Sequence, residues 1–209
     1  TDLIEEDLPS SFDGLKLSAR EVGSVQIQNR ATVVGNICNA SPAADGVPPL
    51  LTLGARVKIG SMAGERRMPL RDFIQGNRKT ALKPGEIVIG VVLPANSTSG
   101  VSSFLKLGAR KYLVISISMV ASRIHVSNGR ISDAAIAVGS CSLVAQRLLD
   151  LESLIIGKEA TSDIVDLIKE DHFKNLAAID DVRATKDYRM HAAKEMVARA
   201  LTQPLEATI

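Results

Sequence analysis

Aromatic residues are scarce in this chain, and neither sign of charge dominates it. Only 3% of its 209 residues are aromatic, there is no tryptophan, and 25 Lys and Arg against 23 Asp and Glu leave a net charge of +2. Proteins that bind single-stranded nucleic acid stack bases on aromatic side chains, and duplex-binding proteins present a basic field. The composition therefore argues against a nucleic-acid-binding protein.

Cysteine and histidine are also sparse. The two cysteines, Cys38 and Cys141, lie far apart, and the three histidines, His125, His172 and His191, stand isolated from each other and from both thiols. Disulfide frameworks, zinc sites and iron–sulfur clusters all need several such residues at close spacing. We therefore predict reduced cysteines and no metal site on this chain.

Long apolar runs are absent too. No stretch approaches the roughly 20 apolar residues of a membrane-spanning helix. The first residues, TDLIEEDLPSS, are acidic where a secretory signal is basic. These features predict a cytoplasmic chain that does not contact a membrane. The 45% hydrophobic content is enough for a core in one domain or two.

The first half of the chain shows a helix and two strands followed by a linker. Residues 48–54 predict a helix, with a proline pair at its start and a glycine at its end. The alternation of Val57 and Ile59 predicts a strand, and the run EIVIGVVLP at 86–94 predicts a buried strand. The polar stretch ANSTSG at 95–100 is the best candidate for a linker between two domains.

The second half begins with a predicted β-hairpin. Apolar residues alternate with serine from Ile115 to Met119, and the parity changes further on, which predicts a strand with a bulge near Ser122. Asn128 and Gly129 suit the two central positions of a type I′ turn, and ISDAAIAVG returns as the next strand.

Three helices are predicted after the hairpin. The first covers 142–156 and stops at Gly157, and the second begins with Ser162 as its N-cap. The third runs from 187 to 202, because a stripe of apolar residues continues until the chain approaches Pro204. The pattern predicts an antiparallel sheet covered by three packed helices.

The stretch ATVVGNICNASPAAD, residues 31–45, is crowded with small residues and amides. A loop that binds a pyrophosphate needs converging backbone N–H groups and residues without bulk, which suits Gly35 and Asn36. Asp45 is placed to accept hydrogen bonds from a ribose diol. An ordinary turn, with Asp45 capping the following helix, explains the same residues. Composition alone leaves both interpretations open.

Four separated stretches of the chain form an ordered set of motifs. They are REVGSVQIQNRATVVGNICNASPAAD, FIQGNRKTALKPGEIV, FLKLGARK and DYRMHAAKEMVARAL. In this order they resemble the FAD-binding subunits of the molybdenum hydroxylases, the family of xanthine dehydrogenase and carbon monoxide dehydrogenase. The first stretch is similar to the family's second flavin-binding loop, and the last resembles its closing helix. The resemblance runs nearly end to end from Glu21.

The resemblance implies an α+β fold in two parts. Residues 1–96 correspond to the second subdomain of the family's FAD-binding domain, and 102–203 correspond to a C-terminal domain of antiparallel sheet and three-helix bundle. The family's first subdomain carries a glycine-rich loop that reads Gly-Gly-Thr-Asp-Leu, and it is expected to be largely missing here. Thr1 to Ile4 resemble the tail of that loop.

The resemblance also implies which residues hold FAD. The positions that wrap its diphosphate are Thr32, Val33, Val34, Gly35 and Asn36. The other cofactor-binding positions are Asp45, Val88 through its backbone, Lys106 beside the flavin, and Val22 as a weaker contact. A cation beside the flavin stabilises negative charge on the reduced ring. Tyr112 either places its ring against the flavin or serves as a packing residue. No residue of this chain is assigned a catalytic role.

Val34 departs from the family, which usually has glycine at this position. A β-branched residue disfavours a positive φ and adds bulk beside the phosphates. Val34→Gly is therefore expected to tighten FAD binding.

The function implied by the resemblance is that of an electron-transfer subunit of an oxidoreductase. FAD on this chain takes electrons from the 2Fe-2S clusters of a small subunit and passes them to NAD or another acceptor. Molybdopterin lies on a large subunit. The alternative is a truncated or degenerate relative that does not retain FAD and acts as an assembly module. The visible absorption spectrum after incubation with FAD distinguishes the two hypotheses.

Overall fold

The computed structural model describes residues 1–207. The helices are α1 Asp2–Glu5, α2 Asp13–Arg20, α3 Val25–Gln28, α4 Val33–Cys38, α5 Val47–Thr52, α6 Leu70–Phe73, α7 Leu149–Ile155 and α8 Lys186–Glu206. The strands are β1 Arg56–Ser61, β2 Gly64–Pro69, β3 Ile74–Gly76, β4 Lys79–Thr80, β5 Ile87–Val92, β6 Val101–Leu107, β7 Ser118–Ser127, β8 Arg130–Gly139 and β9 Gln146–Arg147. The predicted α+β class is confirmed.

The strands form three antiparallel sheets within the described residues. β1 lies between β2 and β5, β3 pairs with β4, and the largest sheet has the order β6-β7-β8-β9. One core lies between the first sheet and helices α4 and α5, where Val57 and Leu50 are buried. The other core lies between the largest sheet and helices α7 and α8, where Ile136 and Val197 are buried.

Three local predictions are confirmed. Prolines lie in the first turn of α5, where a missing N–H costs no hydrogen bond, and Gly54 follows its end with φ +63°. In β1, Val57 and Ile59 are buried, while Lys58 between them is half-buried and Arg56 is exposed. The hairpin turn has positive φ at both central residues, +52° at Asn128 and +73° at Gly129.

Strand β5 is present, but the prediction that it is buried is wrong. Ile87 is 65% exposed and Ile89 is 44% exposed. β5 lies at the edge of a three-stranded sheet, and its register with β1 shifts between Lys58 and Ile59. Because the core lies on the face of Val57 and Ile59, apolar residues of the opposite face remain in contact with solvent.

The stretch predicted as a linker is an ordered part of the structure. Ala95–Thr98 forms a 3₁₀ helix in which Ser97 is buried. The guanidinium of Arg123 donates hydrogen bonds to the carbonyl oxygens of Ser99 and Thr52, both at 3.1 Å. Because Arg123 belongs to β7, no local pattern at 95–100 indicates this anchoring.

Helix α2 from the first half of the chain packs directly on β6 from the second half. The N–H of Gly14 donates to Oγ of Ser102 at 2.8 Å. A Cβ on Gly14 would lie only 2.7 Å from the carbonyl oxygen of Ser103. Glycine is therefore required for this approach of helix and strand. The contact of α2 with β6, together with the bonds of Arg123, forms what we call the seam between the two halves.

Strand β7 differs from its prediction in where it begins and in where its bulge lies. It begins at Ser118, and Ile115 lies in the preceding loop, where it is 52% exposed. Pairing with both neighbours is regular through Ser122, and the bulge lies between His125 and Val126 instead. The apolar residues of both parities have another cause: Val120 and Ile124 pack into one core and Met119 into another cluster, so β7 is buried on both faces.

The helices after the hairpin are only partly as predicted. Residues 142–156 hold the short strand β9 and then α7, and Gly157 follows α7 with φ +85°. The expected second helix forms two 3₁₀ helices, Ser162–Leu167 and Glu170–Phe173, and Ser162 is the first residue of its 3₁₀ helix rather than the N-cap. Buried apolar residues of these single turns reach the core without a continuous helix. Among the described residues after the hairpin, one long and one short α-helix, rather than three helices, therefore pack on the sheet.

Helix α8 continues through Pro204, although the sequence predicted an end before it. Proline cannot donate to the carbonyl oxygen four residues earlier, which is that of Ala200. The hydroxyls of Ser103 and Ser122 donate to this oxygen instead, at 3.0 and 2.5 Å. Side chains of two adjacent strands thus donate to the carbonyl oxygen to which proline cannot donate, and α8 extends to Glu206.

Arg66 of β2 and Glu86 form a bidentate ion pair beside the first sheet. Their two hydrogen bonds, Nε to Oε1 and Nη2 to Oε2, both measure 2.7 Å. The backbone N–H of Lys83 also donates to Oε2 of Glu86 at 2.8 Å. Hydrogen bonds from Arg66 and then from Lys83 lower the pKa of Glu86 from 4.5 to about 2.

Glu86→Gln should make the protein less stable at neutral pH, and the deficit should disappear in acid. Because the folded-state pKa of Glu86 is lowered, its ionised form stabilises the fold above pH 4.5, and this contribution is lost as the pH falls towards a pKa of about 2. Urea denaturation of both proteins between about pH 7 and pH 2 measures the difference. A difference that stays constant over this range would contradict the role given to the carboxylate.

Candidate functional site

A cavity of about 600 Å³ lies in the first half of the chain. Its walls are α1, the C-terminal part of α2, and residues 28–36, which include the start of α4. Asn39 and Gly46 complete it. Small-molecule and cofactor sites measure about 300–1,000 Å³, so the cavity has the size of such a site.

The start of α4 forms one wall of the cavity. Thr32 is extended, with ψ 154°, and its Oγ1 accepts a hydrogen bond from the N–H of Gly35 at 2.8 Å. This N-cap satisfies one of the free N–H groups of the first helical turn. Four of the predicted diphosphate positions line the cavity: Thr32, Val33, Gly35 and Asn36. The predicted loop is therefore the capped first turn of a helix.

Val34 is the exception among these positions. It lies in α4, its φ is not positive, and it does not line the cavity. In this structure, valine at position 34 therefore neither opposes a positive φ nor adds bulk inside the cavity.

We now expect Val34→Gly to weaken α4 rather than to tighten FAD binding. Glycine in a helix interior costs about 0.5–1 kcal/mol relative to alanine. Urea denaturation measures this loss of stability, and titration with FAD measures the affinity. Tighter FAD binding by the glycine variant would show that the side chain of Val34 does hinder the cofactor.

The side chain of Asn36 places an unsatisfied polar atom beside the cavity. Its Oδ1 is buried and has no hydrogen-bond partner among residues 1–207. A Cβ on Gly46 would lie 2.8 Å from this oxygen, so the glycine makes room for the side chain of Asn36. A buried amide oxygen without a donor costs free energy, and a ligand that donates a hydrogen bond removes that cost.

Asp45 and Lys106, predicted as separate FAD contacts, bind each other. Nζ of Lys106 donates to Oδ2 of Asp45 at 2.7 Å, and Oγ of Ser116 donates to Oδ1 at 2.6 Å. The side chains of Lys106 and Asp45 are only 7% and 8% exposed. Burial raises the pKa of Asp45 above its ordinary value, although hydrogen bonds from Lys106 and Ser116 act in the lowering direction.

This ion pair lies directly behind the cavity wall. Nζ of Lys106 also donates to the carbonyl oxygen of Glu21 at 3.3 Å. Glu21 and Asp45 directly precede Val22 and Gly46, and both of these line the cavity, whereas Asp45 and Lys106 do not. The pair therefore holds two segments of the wall in place from the second half of the chain.

Two further predicted positions, Val88 and Tyr112, do not line the cavity. Val88 of β5 pairs with Ile59 and packs against the core of the first half. Tyr112 lies in the loop between β6 and β7 and is 62% exposed, with Nζ of Lys111 at 5.2 Å from its ring centre. Helix α4 is in contact with β5, so Val88 lies on a strand next to this wall, whereas Tyr112 lies in a loop of the second half.

The cavity also contains residues that the sequence did not single out. Leu15, Ser18 and Ala19 of α2 line it, and so do Gln28 and Asn29. The α2 residues belong to an ordinary amphipathic helix, which carries no binding motif. Gln28 and Asn29 lie in the motif that leads into Thr32, and this motif is the sequence feature that could have identified them as lining residues.

The first residues of the chain close one side of the cavity. Thr1 to Ile4 line it, but Asp2–Glu5 form helix α1 rather than a glycine-type loop. The side chains of Thr1 and Asn29 are hydrogen-bonded to each other. Within the described part of the chain, Asp2 is the only charged side chain that lines the cavity. A bound phosphate would therefore meet neutral hydroxyl, amide and backbone donors.

Both cysteines are free thiols, and burial raises the pKa of each. Cys141 is the more buried of the two. Among residues 1–207, no group of three or more His, Cys, Asp or Glu side chains is arranged to hold a metal ion. None of the helices in the same range combines the length and apolar character needed to cross a membrane.

Two domain families match the chain. The family described as the FAD binding domain in molybdopterin dehydrogenase matches residues 1–96, and the CO dehydrogenase flavoprotein C-terminal domain matches residues 103–203. Together these matches cover nearly the whole sequence.

Characterised relatives and solved structures agree with the two families. The xanthine dehydrogenase FAD-binding subunit of Escherichia coli O157:H7 is 27% identical over 209 residues, which cover 99% of this chain and 72% of the relative. The nicotine 6-hydroxylase medium subunit of Paenarthrobacter nicotinovorans is 28% identical, over 89% of this chain and 65% of the relative.

The fold is shared with two solved oxidoreductases. CO dehydrogenase from Oligotropha carboxidovorans superimposes with a TM-score of 0.89 at 23% identity, over 98% of this chain and 71% of that chain. Quinoline 2-oxidoreductase from Pseudomonas putida 86 superimposes with a TM-score of 0.82 at 25% identity, over 92% of this chain and 66% of that chain.

Proposed function

Because the chain belongs to the FAD-binding subunits of the molybdenum hydroxylase family, we propose that it binds FAD in the cavity beside α4 and transfers electrons. In this proposal it receives electrons from 2Fe-2S clusters on a small subunit and delivers them to NAD or another acceptor. Molybdopterin, and with it the hydroxylation of substrate, belongs to a large subunit. The chain is an oxidoreductase component that carries no catalytic residue for hydroxylation.

The observation that carries this proposal is the cavity itself. It is large enough for a cofactor, and the matched loop residues Thr32, Gly35 and Asn36 form its wall. Asn36 lines the cavity, and its Oδ1, which has no hydrogen-bond partner among residues 1–207, is the acceptor that this wall offers to a hydrogen-bond donor of a ligand. These neutral, small residues fit the ribose and diphosphate parts of FAD.

The residues of the wall have separate tasks. Thr32 holds the N–H of Gly35 and so fixes the first turn of α4, which presents the N–H groups of that turn to an anion. Leu15 and Val22 line the cavity with apolar surface and exclude water from it. When FAD is bound, its isoalloxazine ring supplies the chemistry of accepting and releasing electrons.

Asp45 and Lys106 remain part of the proposed site, with Lys106 as a buried cation behind the wall. A buried cation stabilises negative charge that develops on a neighbouring group. Because Lys106 bonds Glu21 and Asp45, it also keeps the wall residues that follow them in place. Val88 keeps its proposed backbone contact with the cofactor.

The visible spectrum of the full chain tests FAD binding. The purified protein is incubated with excess FAD, desalted, and measured for its flavin absorption band. We expect about one flavin per chain to remain, and anaerobic addition of NADH to bleach the band if NAD is the acceptor. Absence of the band would defeat FAD binding and leave the alternative of a degenerate assembly module.

A further inference from the structure

The sheet of β2, β1 and β5 has one face that is turned away from the core. Val57 and Ile59 point into the core, so alternate residues of β1 lie on the opposite side. Antiparallel partners share a face, which places the facing residues of β2 and β5 on the same side. We call this side the outer face, and its side chains are Arg56, Lys58, Glu65, Arg67, Ile87 and Ile89.

An apolar area covers the end of the outer face nearest the turn between β1 and β2. Ile87 pairs with Gly60 and is 65% exposed. Ile89 is 44% exposed and lies over Gly60, since a Cβ on this glycine would be 3.2 Å from Cγ2 of the isoleucine. Met62, in the turn itself, is fully exposed. A contiguous group of exposed apolar side chains of this kind is typical of an interaction site.

Basic side chains cover the other end of the outer face. Arg56, Lys58 and Arg67 lie there. Glu65 is opposite Gly60, at the apolar end, and its carboxylate pairs with Lys58 at 2.8 Å. Arg56 and Arg67 form no ion pair with any other described residue, and both are exposed. The outer face is therefore positively charged beside its apolar area.

We propose that the outer face docks a partner subunit through an acidic surface that carries apolar side chains. This inference rests on the proposed function, in which the chain is one subunit of a larger enzyme. Arg56 and Arg67 attract carboxylates and orient the partner, and Ile87 and Ile89 lose contact with water when it binds. An apolar centre with a charged rim is the usual composition of such an interface.

A second copy of this chain is a poorer occupant of the outer face. A two-fold contact brings the same surface of both copies together. The arginines, Arg56 and Arg67, would then approach cations of the other copy, which is unfavourable. Nucleic acid meets the cations but leaves Ile87 and Ile89 without an apolar partner. An acidic protein surface satisfies both ends of the outer face.

The test measures binding of the full chain to the purified pair of large and small subunits by isothermal titration calorimetry. Ile87→Glu and the double variant Arg56→Glu with Arg67→Glu alter the outer face. Val182→Glu is the matched control, because Val182 is 98% exposed in the second half of the chain. Retained FAD after desalting shows that each variant keeps the cavity intact.

We expect both outer-face variants to weaken binding about tenfold or more and the control to stay within about twofold. The affinity of the unaltered chain should fall as salt is raised, and the double variant should lose most of this dependence. Equal affinity of all variants, or failure of the FAD-loaded chain to bind the two subunits, would overturn the inference while leaving FAD binding intact. Self-association abolished by Ile87→Glu would identify a second copy as the occupant instead.

Discussion

Replacing Lys106 with methionine should lower the free energy of unfolding by about 3–5 kcal/mol at neutral pH. Methionine fills a similar volume but leaves the buried carboxylate of Asp45 with Ser116 as its remaining hydrogen-bond donor. An uncompensated buried charge is among the most costly defects in a protein. Urea denaturation monitored by circular dichroism measures the loss.

The double variant Asp45→Asn with Lys106→Met supplies the matched control. It removes both charges, so its loss of stability should be smaller than that of Lys106→Met alone, and the difference measures the coupling of the pair. The deficit of the single variant should also shrink in acid. The pKa of Asp45 is raised in the folded state, so protonation favours folding, and the penalty is present above that pKa and fades below it. Additive losses at all pH values would contradict the pairing.

Filling the cavity at Gly46 should abolish most FAD binding while leaving the fold intact. Gly46 has φ −74°, a conformation open to any residue, so Gly46→Leu introduces no backbone strain. Its Cβ would lie 2.8 Å from Oδ1 of Asn36, so the amide of Asn36 must shift, and the bulk is added between two residues that line the cavity. We expect the dissociation constant for FAD to rise by about 30-fold, which corresponds to about 2 kcal/mol.

Gly90→Leu is the control for this experiment. A Cβ on Gly90 of β5 meets nothing within 4 Å, so the variant adds the same bulk in open space away from the cavity. Fluorescence titration with FAD measures both variants, and thermal unfolding confirms that they are folded. If Gly46→Leu binds FAD like the unaltered chain, the cofactor does not occupy the cavity beside α4.

Local signals in the sequence predicted the elements whose cause is local. A type I′ turn needs two residues that tolerate positive φ, and Asn128 and Gly129 are such a pair. Helix α5 was likewise indicated by prolines in its first turn and Gly54 after its end. The family was recognised for a similar reason, because its motifs are continuous stretches of sequence.

Elements whose cause is distant in the chain were mispredicted. Helix α8 passes Pro204 because hydroxyls from β6 and β7 reach Ala200, and no pattern near the proline reveals them. The same applies to the site: Asp45 and Lys106 meet only in the folded chain, so the sequence presented them as two contacts rather than as a pair. Asp45 also does not cap α5, whose N-cap is Gly46 without a side-chain hydrogen bond.

The position of α4 within the site shows a third limit. Thr32 is a good N-cap, but two valines, a glycine and an asparagine follow it, and these residues have low helix propensity. Packing of Ile37 into the core stabilises this short helix despite its composition. A sequence that reads as a loop therefore forms a helical turn.

The seam determines how this chain can be recombined with its relatives. A crossover at residues 95–100 would join a foreign α2 to the native β6, and any residue other than glycine at position 14 would collide with the backbone of Ser103. Across the seam, Arg123 donates to the backbone carbonyl oxygens of residues 52 and 99. Any sequence supplies these oxygens. Exchange of the two halves between relatives is therefore limited by Gly14 and by the buried pair of Lys106 with Asp45, which also joins the two halves, rather than by the bonds of Arg123.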